Sequence, residues 1–327
     1  MAVYRNQTCE ITYTETDRFR EDILAGLSAS PKFLHSKYFY DAEGDKLFQQ
    51  IMDCPEYYLT RCEMEIFSSQ SAAIAQTLLR KDKEFDVVEL GAGDAVKSTH
   101  LLRYLSEKGI NYTYYPIDIS ENVIHLLEKE LPERIPGINM SGLNGEYLDM
   151  VEKVNLISDR RKVYLFLGSN IGNFTVQHAI DFLLELQKQM TCGDLLLIGF
   201  DLKKNPKQIL EAYNDERGVT KEFNLNLLER INRELGPVFD LTQFDHYPTY
   251  DPITGACRSY IISLVHQHVM IGEELLEFEK NEAIYMELSQ KYSVQEIEVM
   301  TNQTGFKPVD YFFDSHKWFL DMVWEKL

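Results

Sequence analysis

One short segment constrains the fold of this chain more than any other. Residues 85–97 read Phe-Asp-Val-Val-Glu-Leu-Gly-Ala-Gly-Asp-Ala-Val-Lys, an apolar run followed by a Gly-x-Gly turn and then by polar, helix-starting residues. A strand that ends at a glycine turn lets a ligand approach bare backbone at the carboxyl edge of a parallel sheet. The segment therefore predicts an α/β fold, and it favours an adenosine-bearing cofactor at the turn.

Strand-like and helix-like segments alternate through the middle of the chain. The predicted strands are 87–90, 112–117, 138–143, 162–167 and 195–200, and the predicted helices between them are 97–108, 123–131 and 179–190. Alternation at this spacing is typical of a doubly wound parallel sheet.

The C-terminal end follows a different pattern. A helix is predicted over 293–304, and two β-rich runs, 308–313 and 318–324, follow it. We expect these runs to form an antiparallel pair at the edge of the sheet. By analogy of pattern, a parallel sheet closed by such a hairpin is the layout of class I S-adenosylmethionine methyltransferases rather than of dehydrogenases.

Two regions do not fit the sheet and suggest a second domain. We expect residues 61–203 and 292–327 to form the S-adenosylmethionine-binding methyltransferase domain. Residues 1–60 and 204–291 are then expected to form one α+β substrate-binding domain, built from separate parts of the chain. The alternative is that these parts are two unrelated additions to the sheet domain.

Charge and composition exclude several classes of partner. The chain has 33 basic and 52 acidic residues, a net charge of −19, so nucleic acid is not expected as a partner. No apolar run approaches the roughly 20 residues that a membrane helix needs, so no membrane partner is expected. Met1–Glu10 lacks an apolar signal core. Five scattered cysteines without a Cys-x-x-Cys pair indicate reduced thiols in a cytoplasmic protein.

The glycine turn favours one cofactor over another. Gly91 and Gly93 would let the backbone pass beneath the cofactor, but Val96 and Lys97 stand where a dinucleotide fingerprint has its third glycine. This favours S-adenosylmethionine over NAD. Asp118 ends the second predicted strand and can accept both ribose hydroxyls, although it could instead cap the next helix.

Three further side chains are candidates for the cofactor. Glu146 and Tyr147 follow the third predicted strand, where a carboxylate can accept from the adenine amine and a ring can stack. A surface loop is an equally good reading of these two residues. Lys97 could reach a cofactor carboxylate as a point charge, or it could be a solvated helix lysine.

Several longer strings resemble one enzyme family. They are Lys-Tyr-Phe-Tyr-Asp-Ala-Glu-Gly at 37–44, Leu-Phe at 47–48, Pro-Glu-Tyr-Tyr-Leu-Thr-Arg at 55–61, Phe-Leu-Gly-Ser-Asn-Ile-Gly-Asn-Phe at 166–174 and Ala-Tyr-Asn at 212–214. Together with Val-Glu-Leu-Gly-Ala-Gly at 88–93, they resemble the histidine Nα-methyltransferases of ergothioneine biosynthesis. The resemblance runs from about Pro31 to the C-terminus.

The resemblance implies a monomeric, two-domain enzyme acting on a small amino-acid substrate. Such an enzyme transfers three methyl groups in turn from S-adenosyl-L-methionine to the α-amine of histidine, giving hercynine and S-adenosyl-L-homocysteine. The family's cofactor residues carry over to Gly91, Lys97, Asp118, and Glu146 with Tyr147. Gly93 and Gly168, which lie in the matching strings, are expected at the same site. The family commonly has Asp where this chain has Glu146.

The resemblance also assigns the amino-acid substrate. Its carboxylate and amine are implied to meet Tyr57, Asn173 and Tyr213, and its imidazole Glu287 with Ser289. On a strand, residues two apart share a face, so the last two could meet both ring nitrogens together. Tyr40 is implied near the amine, which makes Tyr40, Tyr57 and Asn173 the catalytic candidates. From the residues alone, Asn173 could also be a helix N-cap and Tyr213 a core tyrosine.

One departure leaves the exact substrate open. Ser259 stands where family members that align here have methionine, and a smaller, polar residue would widen or rewire the wall of the side-chain pocket. Tryptophan or a thiohistidine is therefore an alternative substrate. A non-catalytic S-adenosylmethionine-binding module and a nicotinamide-dependent dehydrogenase are alternatives from other classes.

Two smaller features carry further expectations. Tyr38, Phe39 and Tyr40 could stabilise the fixed cation of a trimethylated product through their ring faces, or they could be core residues. His266 and His268 share a face of a β-like run and could bind a metal, but no third ligand has evident spacing. Methyl transfer needs no metal, and none is predicted.

Overall fold

The computed structural model describes residues 15–80 and 84–327. The expectation that Met1–Glu10 lacks a signal core concerns residues outside these ranges. Within them the α-helices are α1 Glu15–Ser28, α2 Ala42–Met52, α3 Tyr58–Leu78, α4 Val96–Glu107, α5 Glu121–Arg134, α6 Tyr147–Ile157, α7 Val176–Gln189, α8 Pro206–Glu211, α9 Val219–Leu235 and α10 Val294–Gln303. Short 3-10 helices cover Ser36–Phe39, Asn170–Asn173 and Leu241–Gln243.

The strands are divided among three sheets. Their bounds are β1 Lys32–Phe33, β2 Asp86–Leu90, β3 Tyr114–Asp118, β4 Leu143–Asn144, β5 Lys162–Phe166, β6 Leu195–Asp201, β7 Phe244–Tyr250, β8 Ala256–Ser263, β9 Gln267–Ile271, β10 Glu274–Phe278, β11 Ala283–Gln290, β12 Phe306–Phe313 and β13 Phe319–Lys326. Seven strands form the largest sheet in the order β12-β13-β6-β5-β2-β3-β4. A four-stranded sheet has the order β1-β11-β8-β7, and β9 and β10 form a hairpin.

The largest sheet confirms the predicted fold class. β2 pairs in parallel with β3 and β5, and β4 and β6 extend the parallel part on either side. β13 runs antiparallel between β6 and β12. The fold is therefore a class I methyltransferase sheet with a C-terminal antiparallel pair.

The third predicted strand, 138–143, is shorter than expected. Only Leu143 and Asn144 pair regularly with β3, although Met140 makes an isolated bridge to Tyr114. This segment lies at the sheet edge, where one side has no neighbouring strand. Backbone pairing along it is therefore limited to a few contacts with β3, including the 2.8 Å bond from the Tyr114 amide to the Asn139 carbonyl.

Both faces of the seven-stranded sheet are buried. Successive residues of β2, such as Val87 and Val88, belong to separate apolar clusters on opposite faces of the sheet. Helices α3 and α4 cover one face, while α6, α7 and α10 cover the other. Each fully buried large apolar side chain stabilises the fold by about 1.5–3 kcal/mol, so continuous apolar strands fix this layered arrangement.

Side-chain caps fix where the helices of this layer begin. Ser120 caps α5, Thr175 caps α7, and Ser293 forms a capping box with Glu296 at the start of α10. Each cap satisfies a backbone amide that the first helical turn leaves unpaired.

The chain divides into two compact units. The first contains the described residues up to Phe39 with Lys221–Tyr247 and Tyr260–Glu287, and the second contains Tyr40–Thr220, Pro248–Ser259 and Leu288–Leu327. These bounds differ from the expected ones near 61 and 204. Residue 61 lies inside α3, whose first residues Tyr58 and Leu59 already pack in the core of the large sheet.

The first unit accounts for two aromatic residues of the 37–44 string. The Tyr38 hydroxyl donates to Asp22 at 2.6 Å, and the Arg230 guanidinium lies over its ring. Phe39 is fully buried against Phe223, with ring centroids 4.9 Å apart. Tyr38 and Phe39 are therefore packing residues of this unit.

No helix in the described ranges is long and apolar enough to span a membrane.

Candidate active site

The glycine turn after β2 has no room for a side chain at its first glycine. Gly91 has a φ of +74°, and a Cβ built on it would lie 2.6 Å from Asn170 Nδ2 and 2.8 Å from the Tyr147 hydroxyl. Any side chain at Gly91 would collide with these two groups and adopt a backbone conformation that L-residues avoid. Gly93 is also left-handed, at +53°, but has no atom within 4 Å of its Cβ position.

Asp118 is held against this turn by backbone amides. Its Oδ2 accepts from the Gly93 amide at 3.0 Å, and its Oδ1 accepts from the Ser120 amide at 2.9 Å. Burial raises the pKa of Asp118, against these amide hydrogen bonds, which favour the carboxylate. The cap of α5 is Ser120, so Asp118 is not the helix cap. Each carboxylate oxygen keeps a further lone pair for a ribose hydroxyl.

Lys97 is paired with a buried glutamate. Its ammonium donates to Glu63 Oε2, and Glu63 also accepts from the Gly168 amide at 2.8 and 3.0 Å. Burial alone would lower the pKa of Lys97, but the charge and hydrogen bond of Glu63 outweigh it and raise this pKa. Lys97 therefore stays a cation beside the turn instead of pointing into solvent.

A cavity of about 210 Å³ opens over these groups. It brings together nine of the predicted site residues, namely Tyr40, Tyr57, Gly91, Gly93, Lys97, Asp118, Tyr147, Gly168 and Asn173. It lies entirely within the second unit. Another cavity, which Arg80 and Lys307 line with six other residues, contains none of the predicted site residues.

A row of aromatic rings leads away from the cavity. Tyr40 contacts Phe48, Phe48 contacts Tyr57, and Tyr57 contacts Tyr213, with centroid separations of 5.8, 6.4 and 6.2 Å. All three contacts are edge-to-face, the geometry that aromatic quadrupoles favour. Tyr213 does not line the cavity itself but lies one ring behind it.

Asn173 and Tyr147 enter the cavity from different elements. Asn173 ends a 3-10 helix, and the cap of α7 is Thr175, so the Asn173 amide is not used as that cap. Tyr147 begins α6, where its ring packs edge-to-face on Phe166. Burial raises the pKa of Tyr147, so its hydroxyl remains protonated.

Five of the predicted site residues do not line this cavity, namely Glu146, Tyr213, Ser259, Glu287 and Ser289. Glu146 is exposed at the N-cap position of α6. Ser259 is buried in β8, and Tyr260 beside it on this strand points to the opposite face, where it contacts Tyr285 of β11. Strand alternation therefore places Ser259 on the other face of the sheet from Tyr285 and Glu287.

Behind the aromatic row lies a buried hydrogen-bond network. The Tyr213 hydroxyl donates to Ser289 Oγ at 2.7 Å. Lys291 Nζ donates to the Tyr213 hydroxyl at 2.6 Å and to Ser289 Oγ at 2.8 Å, and it pairs with Asp201 Oδ2 at 2.7 Å. Tyr213 and Ser289 are thus brought together, although 76 residues separate them.

Asp201 anchors the other end of this network. It also pairs with Lys204 and accepts from the Tyr58 hydroxyl at 2.8 Å. Burial alone would raise the pKa of Asp201, but the charges of Lys291 and Lys204 outweigh it and lower this pKa. Burial, reinforced by the charge of Lys291, lowers the pKa of Lys204 despite its pairing with Asp201.

Glu287 lies two residues before Ser289 in β11. Buried Met286 and Leu288 flank it, and Glu287 itself is partly exposed. The alternation of the strand directs Glu287 and Ser289 to the same side. The boundary between the two units falls just after Glu287.

Sequence reasoning missed several polar residues, and signals for them were present. Glu63 is a charged residue on the apolar stripe that Leu59, Ile66 and Phe67 form along α3. Asp201 ends a strand that is apolar up to that point, and Lys291 continues the same-face spacing of Glu287 and Ser289. Asp45 also lines the cavity, but no comparable pattern in the sequence marks it.

Comparison with known proteins assigns the chain to a family. A family model described as histidine-specific, S-adenosylmethionine-dependent methyltransferase matches residues 19–326. This chain belongs to that family. The enzyme class and the cofactor follow from this membership: it is an S-adenosylmethionine-dependent methyltransferase.

Named relatives agree with the family over most of the chain. A histidine N-alpha-methyltransferase of Mycolicibacterium smegmatis is 33% identical over 305 residues, covering 91% of this chain and 92% of the relative. Ergothioneine biosynthesis protein 1 of Schizosaccharomyces pombe is 30% identical over 282 residues, which cover 84% of this chain and 36% of that protein. A 4-dimethylallyltryptophan N-methyltransferase of Penicillium roqueforti is 25% identical over 305 residues, covering 88% of each chain.

Proposed function

We propose that this protein transfers methyl groups from S-adenosyl-L-methionine to the α-amine of L-histidine, three times in succession, to give hercynine. The observation that carries the proposal is a single cavity that joins the Gly91 turn and Asp118 to the aromatic row ending at Tyr213. The family match and the histidine N-alpha-methyltransferase relatives support the same substrate.

The residues at the turn fit S-adenosylmethionine. Gly91 offers backbone that no side chain can cover, and Asp118 has lone pairs for the two ribose hydroxyls. Lys97 is a cation suited to the cofactor carboxylate, while Tyr147, which lines the cavity, would serve the adenine end. When bound, this cofactor supplies an electrophilic methyl group on a sulfonium.

The amino acid is held by neutral donors and by one carboxylate. The Asn173 amide and the Tyr57 hydroxyl would hold its carboxylate and α-carbon, with the Tyr213 ring packed against Tyr57, and Glu287 with Ser289 would hold the two imidazole nitrogens. Such contacts aim the α-nitrogen at the donor. Positioning two bound reactants in this way removes several kcal/mol of entropic barrier.

The α-amine must lose a proton before it can react. An α-amine is mostly protonated near neutral pH, and one proton must leave the nitrogen before each of the three methyl transfers. We assign Tyr40 the task of accepting a hydrogen bond from the amine and passing the proton to water. A phenol with an ordinary pKa near 10 is a weak base, so this contribution is modest.

The cationic product has aromatic neighbours available. Tyr40, Phe48 and Tyr57 form consecutive edge-to-face contacts at or beside the cavity. Ring faces attract a quaternary ammonium by about 0.5–2 kcal/mol each. These three rings replace the predicted trio, of which Tyr38 and Phe39 are packing residues.

The test of this function is product analysis. The protein is incubated with S-adenosyl-L-methionine and histidine, and mass spectrometry follows the addition of one, two and three methyl groups. We expect accumulation of the trimethylated product. Folded protein that binds S-adenosyl-L-homocysteine but yields no methylated histidine would contradict the proposal.

A tryptophan substrate is the second candidate. The Penicillium relative named for a tryptophan derivative covers 88% of this chain, which favours testing it. Equimolar histidine and tryptophan in one reaction separate the two candidates. We expect methylated histidine to dominate by at least about tenfold, since Glu287 and Ser289 offer partners that an indole cannot fully use.

We also propose a monomeric, cytoplasmic enzyme that uses no metal for methyl transfer. Cys54 and Cys62 are buried as free thiols, which suits a reducing compartment. Light scattering after size-exclusion chromatography would give the mass of one chain, and a dimer mass would contradict the monomer.

A further inference from the structure

Lys291 is the centre of the buried network. Its side chain is 0% exposed, and its ammonium contacts Asp201, Tyr213 and Ser289. An ammonium has three protons and no lone pair, so it can only donate to all three partners. The network therefore has a fixed direction that starts at Lys291.

This direction determines what Ser289 can offer a ligand. Both hydroxyls accept from Lys291, and Tyr213 then donates its single proton to Ser289 Oγ. Both lone pairs of Ser289 are used, while its own proton has no acceptor among the residues that the structure describes. Ser289 is left as a hydrogen-bond donor.

We propose that Lys291 is a positioning residue that makes the site select the neutral form of the histidine imidazole. This inference rests on the proposed function, in which Ser289 meets one imidazole nitrogen. A serine that can only donate requires a nitrogen with a lone pair, which the neutral ring has and imidazolium lacks. Glu287 then accepts from the N–H on the other side of the ring.

The charge arrangement allows Lys291 to be replaced without leaving the Asp201 carboxylate unpaired. Asp201 is also paired with Lys204 and accepts from Tyr58. Removal of the Lys291 ammonium therefore leaves one buried carboxylate with one buried ammonium. Lys291→Met keeps the length and apolar stem of the side chain and removes only the donor.

A double-mutant cycle tests whether Lys291 acts through Ser289. KM for histidine is measured at pH 8 for wild type, Lys291→Met, Ser289→Ala and the double variant. We expect each single variant to raise KM about tenfold, the effect of one buried hydrogen bond. The double variant should be no more than about twofold worse than either single variant.

A matched control and a cofactor measurement accompany the cycle. Lys162 is another buried lysine, whose ammonium donates to the Ser158 and Arg160 carbonyls at 2.8 and 2.9 Å. We expect Lys162→Met to leave KM for histidine within about twofold of wild type. S-adenosyl-L-homocysteine affinity should stay within about twofold in all variants.

The pH dependence supplies a readout that a structural role would not give. Free imidazole has a pKa near 6.5, so at pH 5.5 about nine-tenths of the substrate is imidazolium. Wild type should lose affinity as this form grows, whereas Lys291→Met frees Ser289 to accept. The ratio of the two KM values should therefore fall from about ten at pH 8 towards one at pH 5.5.

The outcomes separate this inference from the proposed function. Wild type that leaves histidine unmethylated would overturn the proposed function. Active wild type with multiplicative effects in the double variant, or with a pH-independent KM ratio, would overturn the role of Lys291 alone. If Lys291→Met fails to fold, Ser289→Ala still tests the idea, since its KM ratio to wild type should converge at pH 5.5 in the same way.

The β9–β10 hairpin carries an independent feature. His268 pairs directly across from Glu277, and the Nε2 atoms of His266 and His268 each lie 3.8 Å from Glu277 Oε1. The ligand atoms of these three residues are all within 4.8 Å of one another. Behind them, His266 Nδ1 lies 3.3 Å from Glu279 Oε2. The third ligand absent from the sequence spacing is thus supplied across the hairpin.

We infer that His266, His268 and Glu277 form a surface site for a divalent metal of the zinc class. Three atoms this close can each lie within about 3 Å of one point, near the 2.0–2.2 Å of zinc bonds. A proton on His266 Nδ1, directed at Glu279, leaves the Nε2 lone pair for the metal, which is the usual arrangement behind a metal-bound histidine. The site has no part in methyl transfer.

Calorimetry with zinc chloride tests this site on protein without a polyhistidine tag. We expect one zinc ion per chain with micromolar affinity, weakened at least about tenfold in His268→Ala. Glu274→Gln, which changes an exposed residue of the same hairpin outside the cluster, should bind as wild type does. Absence of stoichiometric binding, or equal binding by His268→Ala, would overturn the inference.

Discussion

The Gly91 turn and the Lys291 network hold polar groups in opposite ways. At the turn, most hydrogen bonds to Asp118 come from backbone amides, and burial raises its pKa. In the network, two ammonium groups surround Asp201 and lower its pKa. The turn is therefore built for a ligand that brings donors, while the network fixes the direction of hydroxyl protons.

The two regions also differ in how far apart their parts lie in the sequence. Gly93 and Asp118 are 25 residues apart and join neighbouring strands of one sheet. Tyr58 and Asp201 are 143 residues apart, and Tyr213 and Ser289 are 76 apart. A local sequence motif predicts the Gly91 turn, whereas the residues of the Lys291 network come together only in the folded chain.

The largest effect should come from closing the turn. Gly91→Ala places a methyl group against Asn170 and Tyr147 and forces a strained φ, so S-adenosyl-L-homocysteine affinity should fall by roughly 100-fold or more. Gly93→Ala has the same sign of φ but open space around its Cβ, so we expect a loss of about tenfold or less. Calorimetry measures both, and equal losses would remove the special status of Gly91.

Burial at the turn should also appear in the pH dependence of stability. Glu89 lines the cavity, and burial raises its pKa to about 7, against hydrogen bonds from Tyr114 and Ser98. Between about pH 4.5 and 7 the unfolded chain ionises Glu89 while the folded chain keeps the proton, so stability falls as pH rises. Glu89→Gln removes this loss, which amounts to about 3 kcal/mol above pH 7.

Thermal unfolding at pH 5 and pH 8 checks this prediction. The Tm of wild type should drop by several degrees more than that of Glu89→Gln over this interval. Parallel Tm profiles for the two proteins would show that Glu89 does not carry the shifted pKa.

A substitution in the substrate pocket should weaken histidine binding without changing cofactor binding. Glu287→Gln keeps the size of the side chain and removes its charge, so histidine affinity should fall about 30-fold. S-adenosyl-L-homocysteine affinity should be unchanged. Glu282→Gln, one residue before the same strand, is the matched control and should bind histidine normally. A cofactor defect in Glu287→Gln would break the separation of the two regions.

Tyr40 should give the smallest effect. Tyr40→Phe retains the ring beside Phe48 and loses only the hydroxyl, so kcat should fall about fivefold with KM nearly unchanged. Rapid-quench kinetics at saturating histidine measures this loss. A fall of more than about 100-fold would make Tyr40 the principal proton acceptor instead of a relay.

Much of the fold could be predicted because local patterns determined it. The apolar runs of β2, β5 and β6 and the Gly-x-Gly turn showed the parallel sheet, and the two C-terminal runs showed its antiparallel edge. Asp118 could be placed at the turn for the same reason, since parallel strands end at one edge.

The remaining features depend on packing that no local pattern reveals. The sequence leaves Tyr38 open between a product-binding ring and a core residue, and only the fold shows its hydrogen bond to Asp22. Ser259 lies on the sheet face opposite to Glu287. Glu63 and Lys291 are not recognisable as network residues from the sequence, because their partners, Gly168 and Asp201, are about a hundred residues away along the chain.

A neutron crystal structure with S-adenosyl-L-homocysteine and histidine would show both ligands and the hydrogen positions between them. We expect the ribose on Asp118, the histidine carboxylate beside Asn173, and an unprotonated imidazole nitrogen within hydrogen-bond distance of Ser289 Oγ. Histidine bound away from Ser289, or an imidazole whose N–H points at this oxygen, would contradict it.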